Sequence, residues 1–158
     1  MSAGRIAQLS ISPGGVPKLP VPSAHVTALG LAGDGHRDRE HHGGPDRAVC
    51  LFSMEQIEAL RAEGHRIVAG ALGENVTVAG LDWSLVLPGT RLGLGDEAIV
   101  EVTRYTSPCV NIRGVFHDGD YSRVSQKRHP GWSRVYARVL REGHVATGDP
   151  VRIVPVAS

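Results

Sequence analysis

The sequence predicts a mainly β protein: a closed or nearly closed β-barrel of short strands, with one clear helix at about residues 53–64 and short helical turns. Three observations carry that prediction. Twenty glycines and ten prolines are dispersed through 158 residues, cutting the chain into short runs that suit strands and turns. Six to nine of those runs are strand-like, several with apolar and polar side chains alternating at period 2. Only one stretch has helical spacing. The length points to one domain, expected over residues 1–158. A chain of that size buries roughly 68–70% of its unfolded surface, enough to fold without staples.

The elements follow in order. Arg5 to Ile11 reads as a strand with Ala7, Leu9 and Ile11 on one side, ended by Pro13-Gly14-Gly15. Val16 to Pro22 holds three prolines and is confined to an edge or a loop. His25 to Leu29 is a second short strand. Gly30 to Asp46 is rich in Gly, His and charge and nearly free of apolar anchors, the mark of a functional or disordered loop. Arg47 to Phe52 reads as a buried strand. Ser53 and Gln56 then form a capping-box pattern, and Met54, Ile57, Leu60 and Arg61 carry a helix to about Gly64. Glu74 to Ala79, Arg91 to Leu94, Ala98 to Arg104, Arg134 to Leu140 and Val151 to Val154 complete the strands. Gly95-Asp96 and Gly148-Asp149 each separate two strand-like runs, with Gly supplying positive φ and Asp a side-chain turn cap.

Charge and cysteine content exclude several classes. Seventeen basic against sixteen acidic residues give a formal charge of +1, too small a field to recruit nucleic acid or an anionic membrane. Fifteen of the basic residues are Arg, a bias that fits a GC-rich genome or recognition of phosphate and carboxylate by guanidinium forks. Two cysteines are too few for a disulfide scaffold. No apolar stretch approaches a membrane span of ~20 residues, and the N-terminus lacks a signal core, so the expected location is cytoplasmic. Cys50, inside Ala48-Val49-Cys50-Leu51-Phe52, is expected to be buried and inert.

Cys109 is the residue most open to chemistry. It follows Pro108 just past a strand, among polar neighbours, with Arg104 and Arg113 near in sequence to favour the thiolate. A thiolate at a rigid strand end suits a soft metal or a persulfide. An ordinary free cysteine is the alternative. In the histidine-rich loop, His36, His41 and His42 are candidate metal ligands with Asp34, Asp38 or Glu40 assisting. Solvated loop histidines, or an anion approached by the N–H groups of Gly33, Gly35, Gly43 and Gly44, are the competing readings. Asn75 is a turn residue or an amide that pairs with a heteroaromatic edge. Lys18, Arg47 and Arg113 are isolated cations, each a surface charge or a phosphate ligand. The chain has no Gly-x-Ser-x-Gly elbow, phosphate P-loop or dinucleotide fingerprint.

Taken together, these segments resemble the MOSC family, the domain named after the C-terminal part of molybdenum cofactor sulfurase. The resemblance covers nearly the whole chain. It is carried by Lys18-Leu19-Pro20-Val21, Gly30-Leu31-Ala32-Gly33-Asp34, His42-Gly43-Gly44-Pro45-Asp46-Arg47-Ala48-Val49, Gly73-Glu74-Asn75-Val76-Thr77, Pro108-Cys109, and Arg138-Val139-Leu140 with Gly143-His144-Val145 and Gly148-Asp149. It is closest to the small, stand-alone bacterial type. The resemblance implies a β-barrel that binds the molybdenum cofactor (molybdopterin). It implies Cys109 as molybdenum ligand or sulfur carrier, Lys18 at the cofactor phosphate, Asn75 near the pterin, and the His42-Gly43-Gly44 loop with Asp34 lining the same site. Arg47 and Arg113 join this set by charge and by nearness to the matched motifs. No aminotransferase-like segment is present, so pyridoxal phosphate is not expected in this chain. No iron–sulfur cysteine set is present either, so electrons are expected from separate redox partner proteins.

Three functions compete. The first is a molybdenum-dependent reductase of N-hydroxylated small molecules, in which a metal centre accepts the oxygen while the protein orients the N–O group. The second is a sulfur carrier, with a persulfide on Cys109 loaded by a sulfur donor, or a cofactor-delivery module. The third is a zinc hydrolase built on His36, His41 and His42.

Overall fold

The computed structural model describes residues 3–35 and 44–155. In chain order the strands are β1 (Ala3–Ile11), β2 (Leu19–Val21), β3 (Ser23–Thr27), β4 (Gly30–Leu31) and β5 (Val49–Ser53). Helix α1 (Met54–Ala62) follows, then β6 (Val76–Ala79), β7 (Arg91–Leu94), β8 (Ala98–Tyr105), β9 (Val135–Arg141), β10 (Gly143–Ala146) and β11 (Pro150–Val154). Four short 3-10 turns lie between them. The main sheet runs β11-β7-β8-β9-β5-β6-β1, and β1 pairs back onto β11. Seven strands therefore close a barrel, as the sequence predicts. Strand β2 hangs on the outer end of β1, the edge position that Pro20 and the flanking Pro17 and Pro22 demand.

Side-chain parity sorts the barrel wall. Ile6, Leu9, Val49, Leu51, Val76, Val78, Val100, Val102, Val135 and Ala137 fill its interior. Their strand neighbours Cys50, Phe52, Thr77 and Tyr136 point outward. The alternation expected for β1 does not hold, because the register shifts between Ile6 and Gln8. That bulge brings both Ile6 and Leu9 into the core and leaves Ala7 and Ile11 at the margin.

Strands β5 and β6 are parallel, so the chain must cross over between them, and α1 makes that crossing. Ser53 caps the helix through its hydroxyl, which accepts the Gln56 N–H at 3.2 Å. The capping box is only half made: the Gln56 amide instead donates to the Gly131 carbonyl at 2.8 Å. The helix ends earlier than expected, at Ala62, and Gly64 takes φ +102° beyond its cap. Ile57 and Leu60 pack with Phe52, Ile67, Leu72, Ile112 and Phe116 into a second core outside the barrel.

Two further boundaries move, and one pairing differs. Arg47 closes a 3-10 turn (Pro45–Arg47) rather than opening β5. The second short strand shifts to Ser23–Thr27, because Thr27 Oγ1 accepts the Leu29 N–H at 3.3 Å and donates to the Gly30 carbonyl at 2.8 Å, turning the chain. The two Gly-Asp turns also differ: β7 and β8 form a hairpin, whereas β10 leaves the barrel to pair with β3. At the second turn Asp149 caps as expected, its carboxylate accepting the Ala146 N–H at 2.9 Å.

Candidate functional site

A row of outward-facing residues crosses the barrel wall. Arg104 on β8 stands opposite Tyr136 on β9, and Tyr136 opposite Cys50 on β5. Asn75, just before β6, follows: its Oδ1 accepts the Cys50 N–H at 3.0 Å, and its N–H donates to the Cys50 carbonyl at 2.7 Å. Arg104 reaches this face through a second bulge. The register shifts between Val102 and Arg104, so Thr103 is the extra residue and Arg104 takes the parity opposite to Val102. Above the row lies a cavity of about 540 Å³, within the usual range for a small-molecule or cofactor site.

Cys109 lines this cavity. It is half-buried and precedes the 3-10 turn Val110–Val115 as its N-cap, in extended backbone, with its side chain making no cap bond. Cys50 lines the same cavity from below, but burial pushes its thiol up to about 12. Cys50 is thus buried and protonated, as the sequence suggests, whereas Cys109 is half-exposed on the cavity wall.

Lys18 lines the cavity and is held by Asp34, at 2.7 and 2.9 Å from its two oxygens. Asp34 Oδ1 also accepts the Ser12 N–H at 2.9 Å, and Oδ2 accepts from Asn75 Nδ2 at 2.9 Å. Asn75 Nδ2 donates a second bond to the Ser10 carbonyl at 3.2 Å. The Asn75 amide is therefore committed to the protein on both sides, and Asp34 sits behind Lys18 rather than on the cavity wall.

Three arginines, Arg47, Arg104 and Arg134, complete the cationic lining. Arg47 lies 5.8 Å from the Tyr136 ring centroid, and burial pushes that phenol up to about 12. Arg134 is only 7% exposed; its Nη1 donates to the Leu72 carbonyl, and its Nε has no partner. Near it Glu74 is fully buried, with Oε1 unpaired and Oε2 accepting from Thr77 Oγ1 at 3.1 Å. Burial raises the Glu74 carboxyl above its usual 4.5, against the opposing pull of backbone N–H groups at Gly70 and Glu74 and, less strongly, of Arg134 and the Thr77 bond. The Arg134 Nε is buried without a partner, whereas Lys18 is already balanced by Asp34. The floor therefore favours an anion.

The raised Glu74 carboxyl has a measurable consequence. A group whose folded pKa lies above its unfolded value contributes stability below the unfolded pKa and loses it as pH rises through the folded one. Glu74→Gln cannot titrate. The difference in thermal midpoint between Glu74→Gln and the parent is expected to move in the variant's favour from pH 5 to pH 8. A difference independent of pH would show that Glu74 ionises as it does in water.

Of the residues the sequence singles out, Lys18, Arg47, Asn75 and Cys109 come together at the cavity. Asp34 joins them through hydrogen bonds. Arg113 is exposed near the end of the Val110–Val115 turn and is not on the cavity wall. Gly44 caps the Pro45–Arg47 turn with φ +81° and is likewise off the wall. His42 and Gly43, with His36 and His41, lie outside the described residues. Sequence reasoning passed over Arg134 and Tyr136 as members of the site. The available signal was parity: both alternate with Val135 and Ala137, which face the barrel interior.

A seven-stranded barrel carrying a half-exposed thiol over an arginine-lined cavity on its outer wall places the chain in a class of small β-barrel domains. The chain belongs to the MOSC domain family, whose match covers residues 38–152. Among curated relatives it is similar to YflK of Bacillus subtilis, 38% identical over 89% of this chain and 63% of that protein. It is 33% identical to YiiM of Escherichia coli, over 82% and 58%. A Gibberella moniliformis protein named Reductase is 29% identical over 81% of this chain and 23% of its own length. The solved structure of YiiM from Geobacillus stearothermophilus superposes with a TM-score of 0.74 at 26% identity, covering 96% and 75% of the two chains. The chain thus spans about three fifths of the first curated relatives it matches. Among the described residues no helix is long and apolar enough to cross a membrane.

Proposed function

We propose that the cavity binds a pterin-based molybdenum cofactor, with Cys109 as the protein ligand to molybdenum, and that the protein reduces N-hydroxylated small molecules. The observation that supports this best is that one cavity is lined by both the half-exposed Cys109 and Arg134, a buried cation whose Nε lacks a partner. The donor set fits the group: a soft thiolate for the metal, and guanidinium forks for phosphate and other anionic parts. Membership of the MOSC family and the relative named Reductase support the same reading.

The residues divide the work. Arg134 and Arg104 hold the cofactor's anionic groups, with Lys18 in reach if Asp34 shares it. Asn75 fixes the backbone of Cys50 and the position of Asp34, so it shapes the floor and leaves the ligand to others. Arg47, against the face of Tyr136, lines the approach for an N-hydroxylated substrate. When bound, the cofactor supplies two-electron oxygen-atom acceptance, with electrons delivered by separate redox partner proteins.

The test is anaerobic purification from a host that makes the cofactor, followed by molybdenum content, pterin fluorescence and turnover of an N-hydroxylated amidine with a reduced dye. Molybdenum and pterin at equal stoichiometry, with turnover, support the proposal. A metal-free protein that gains one sulfur on Cys109, removable by reductant, supports the sulfur-carrier alternative instead.

Arg134→Met separates stability from binding. Removing a buried, half-paired charge relieves a desolvation cost of several kcal/mol, while the lost bond to the Leu72 carbonyl costs about 1–3 kcal/mol. The cofactor-free variant is expected to melt at or above the parent's temperature and to bind the cofactor about 10–100-fold more weakly, the usual scale for a supporting contact at a metal site. Cofactor retention equal to the parent's would remove Arg134 from the site.

A further inference from the structure

A second cluster lies outside the cavity. The side chains of His65, His117 and Asp118 each bring one ligand-capable atom to within 4.8 Å of the other two. His65 follows the end of α1 and is buried, whereas His117 and Asp118 are exposed. The two imidazoles stack with centroids 4.7 Å apart and planes 23° apart. The backbone already joins these segments, since the Arg66 N–H donates to the Val115 carbonyl at 2.8 Å.

The surroundings of His65 set which nitrogen is available. Arg123 holds the Glu63 carboxylate with two bonds, at 2.9 and 2.7 Å. Glu63 Oε1 in turn lies 3.5 Å from His65 Nε2. A carboxylate at Nε2 keeps the proton there and leaves the lone pair on Nδ1. Nδ1 faces residue 117, whose N–H approaches it at a long 3.3 Å. Carboxylate, then histidine, then a lone pair held by only one long hydrogen bond matches the arrangement that orients histidines toward metals.

We propose that His65 Nδ1, His117 and Asp118 form a binding site for one divalent transition-metal ion of the zinc class. Two imidazoles and a carboxylate match that ion's ligand preference, with water in the remaining position. Bonds of about 2.0–2.2 Å place tetrahedral donors roughly 3.3–3.6 Å apart. The two exposed side chains close the difference by rotating inward, and the metal replaces the long bond from the His117 N–H. The ion ties the end of α1 to the far end of the Val110–Val115 turn, whose N-cap is Cys109. It braces the segment that carries the thiol without touching the cavity, and it uses other residues than the third sequence reading, a zinc site on His36, His41 and His42.

The experiment titrates Co2+ and Zn2+ into the metal-free full chain and into His117→Ala and Asp118→Asn, both exposed positions. The parent is expected to take up one ion per chain at this site, with Co2+ visible bands that lack a thiolate charge-transfer transition. Zn2+ is expected to raise its melting temperature. Each variant is expected to bind at least tenfold more weakly and to lose most of that rise. Binding unchanged in either variant, a strong thiolate charge-transfer band, or no saturable uptake by the parent overturns the assignment.

Discussion

Cys109→Ala is expected to fold like the parent and to lose both molybdenum and turnover. The fold is spared because the side chain is half-exposed and makes no cap bond, and the extended backbone at this N-cap suits alanine. Substitutions of that kind stay within about 0.5 kcal/mol. Cys50 cannot take over, since it is buried with its thiol pushed up to about 12 and therefore stays protonated near neutrality. Supporting contacts at metal sites cost 10–100-fold when removed, so loss of the ligand itself should lower turnover by more than about a hundredfold. The measurement is molybdenum per chain and N-hydroxyamidine reduction, beside circular dichroism of both proteins. A variant that keeps its metal and its rate would move Cys109 out of the coordination sphere.

Much of this architecture can be read from residue order, and what escapes has identifiable causes. Period-2 patterns place β7, β8, β9 and β11 within a residue or so, because their interior faces are uniformly aliphatic. Ser53 marks the start of α1 because its hydroxyl is the cap. Bulges defeat the same reasoning. Thr103 interrupts β8 without any glycine or proline to announce it, yet it turns Arg104 from the barrel interior to the cavity wall. Pairings between distant strands are equally silent: nothing local says that β10 joins β3 and not β11. At the site, Cys109 is legible from its polar setting after Pro108. The role of Asn75 is not, since its three side-chain bonds reach Ser10, Asp34 and Cys50 on separate segments. Arg134 reads as a surface charge on an alternating strand until the layer outside the barrel covers it.

Asp34→Ala is expected to be the most destabilising single change near the site, by about 3–5 kcal/mol, because it strands a buried partner charge. The Asp34 side chain is 1% exposed and that of Lys18 8%, so water cannot compensate the ammonium. The same substitution orphans the Ser12 N–H and one Asn75 Nδ2 bond. For a chain of this length the loss corresponds to a fall in melting temperature of roughly 6–20 °C. Lys18→Met in the Asp34→Ala background removes the stranded charge and should recover part of the fall, and the double-mutant cycle measures the coupling. A fall of less than about 1 kcal/mol for Asp34→Ala would mean that water reaches Lys18 and the pair is effectively solvated. The pair also ranks the cavity's cations. Lys18 reaches an anion only by sharing Asp34, whereas Arg134 has a buried, unpaired Nε. Lys18→Met should therefore weaken cofactor binding less than Arg134→Met does. The reverse order would place the anionic group of the ligand at Lys18 and require the Asp34 bridge to open on binding.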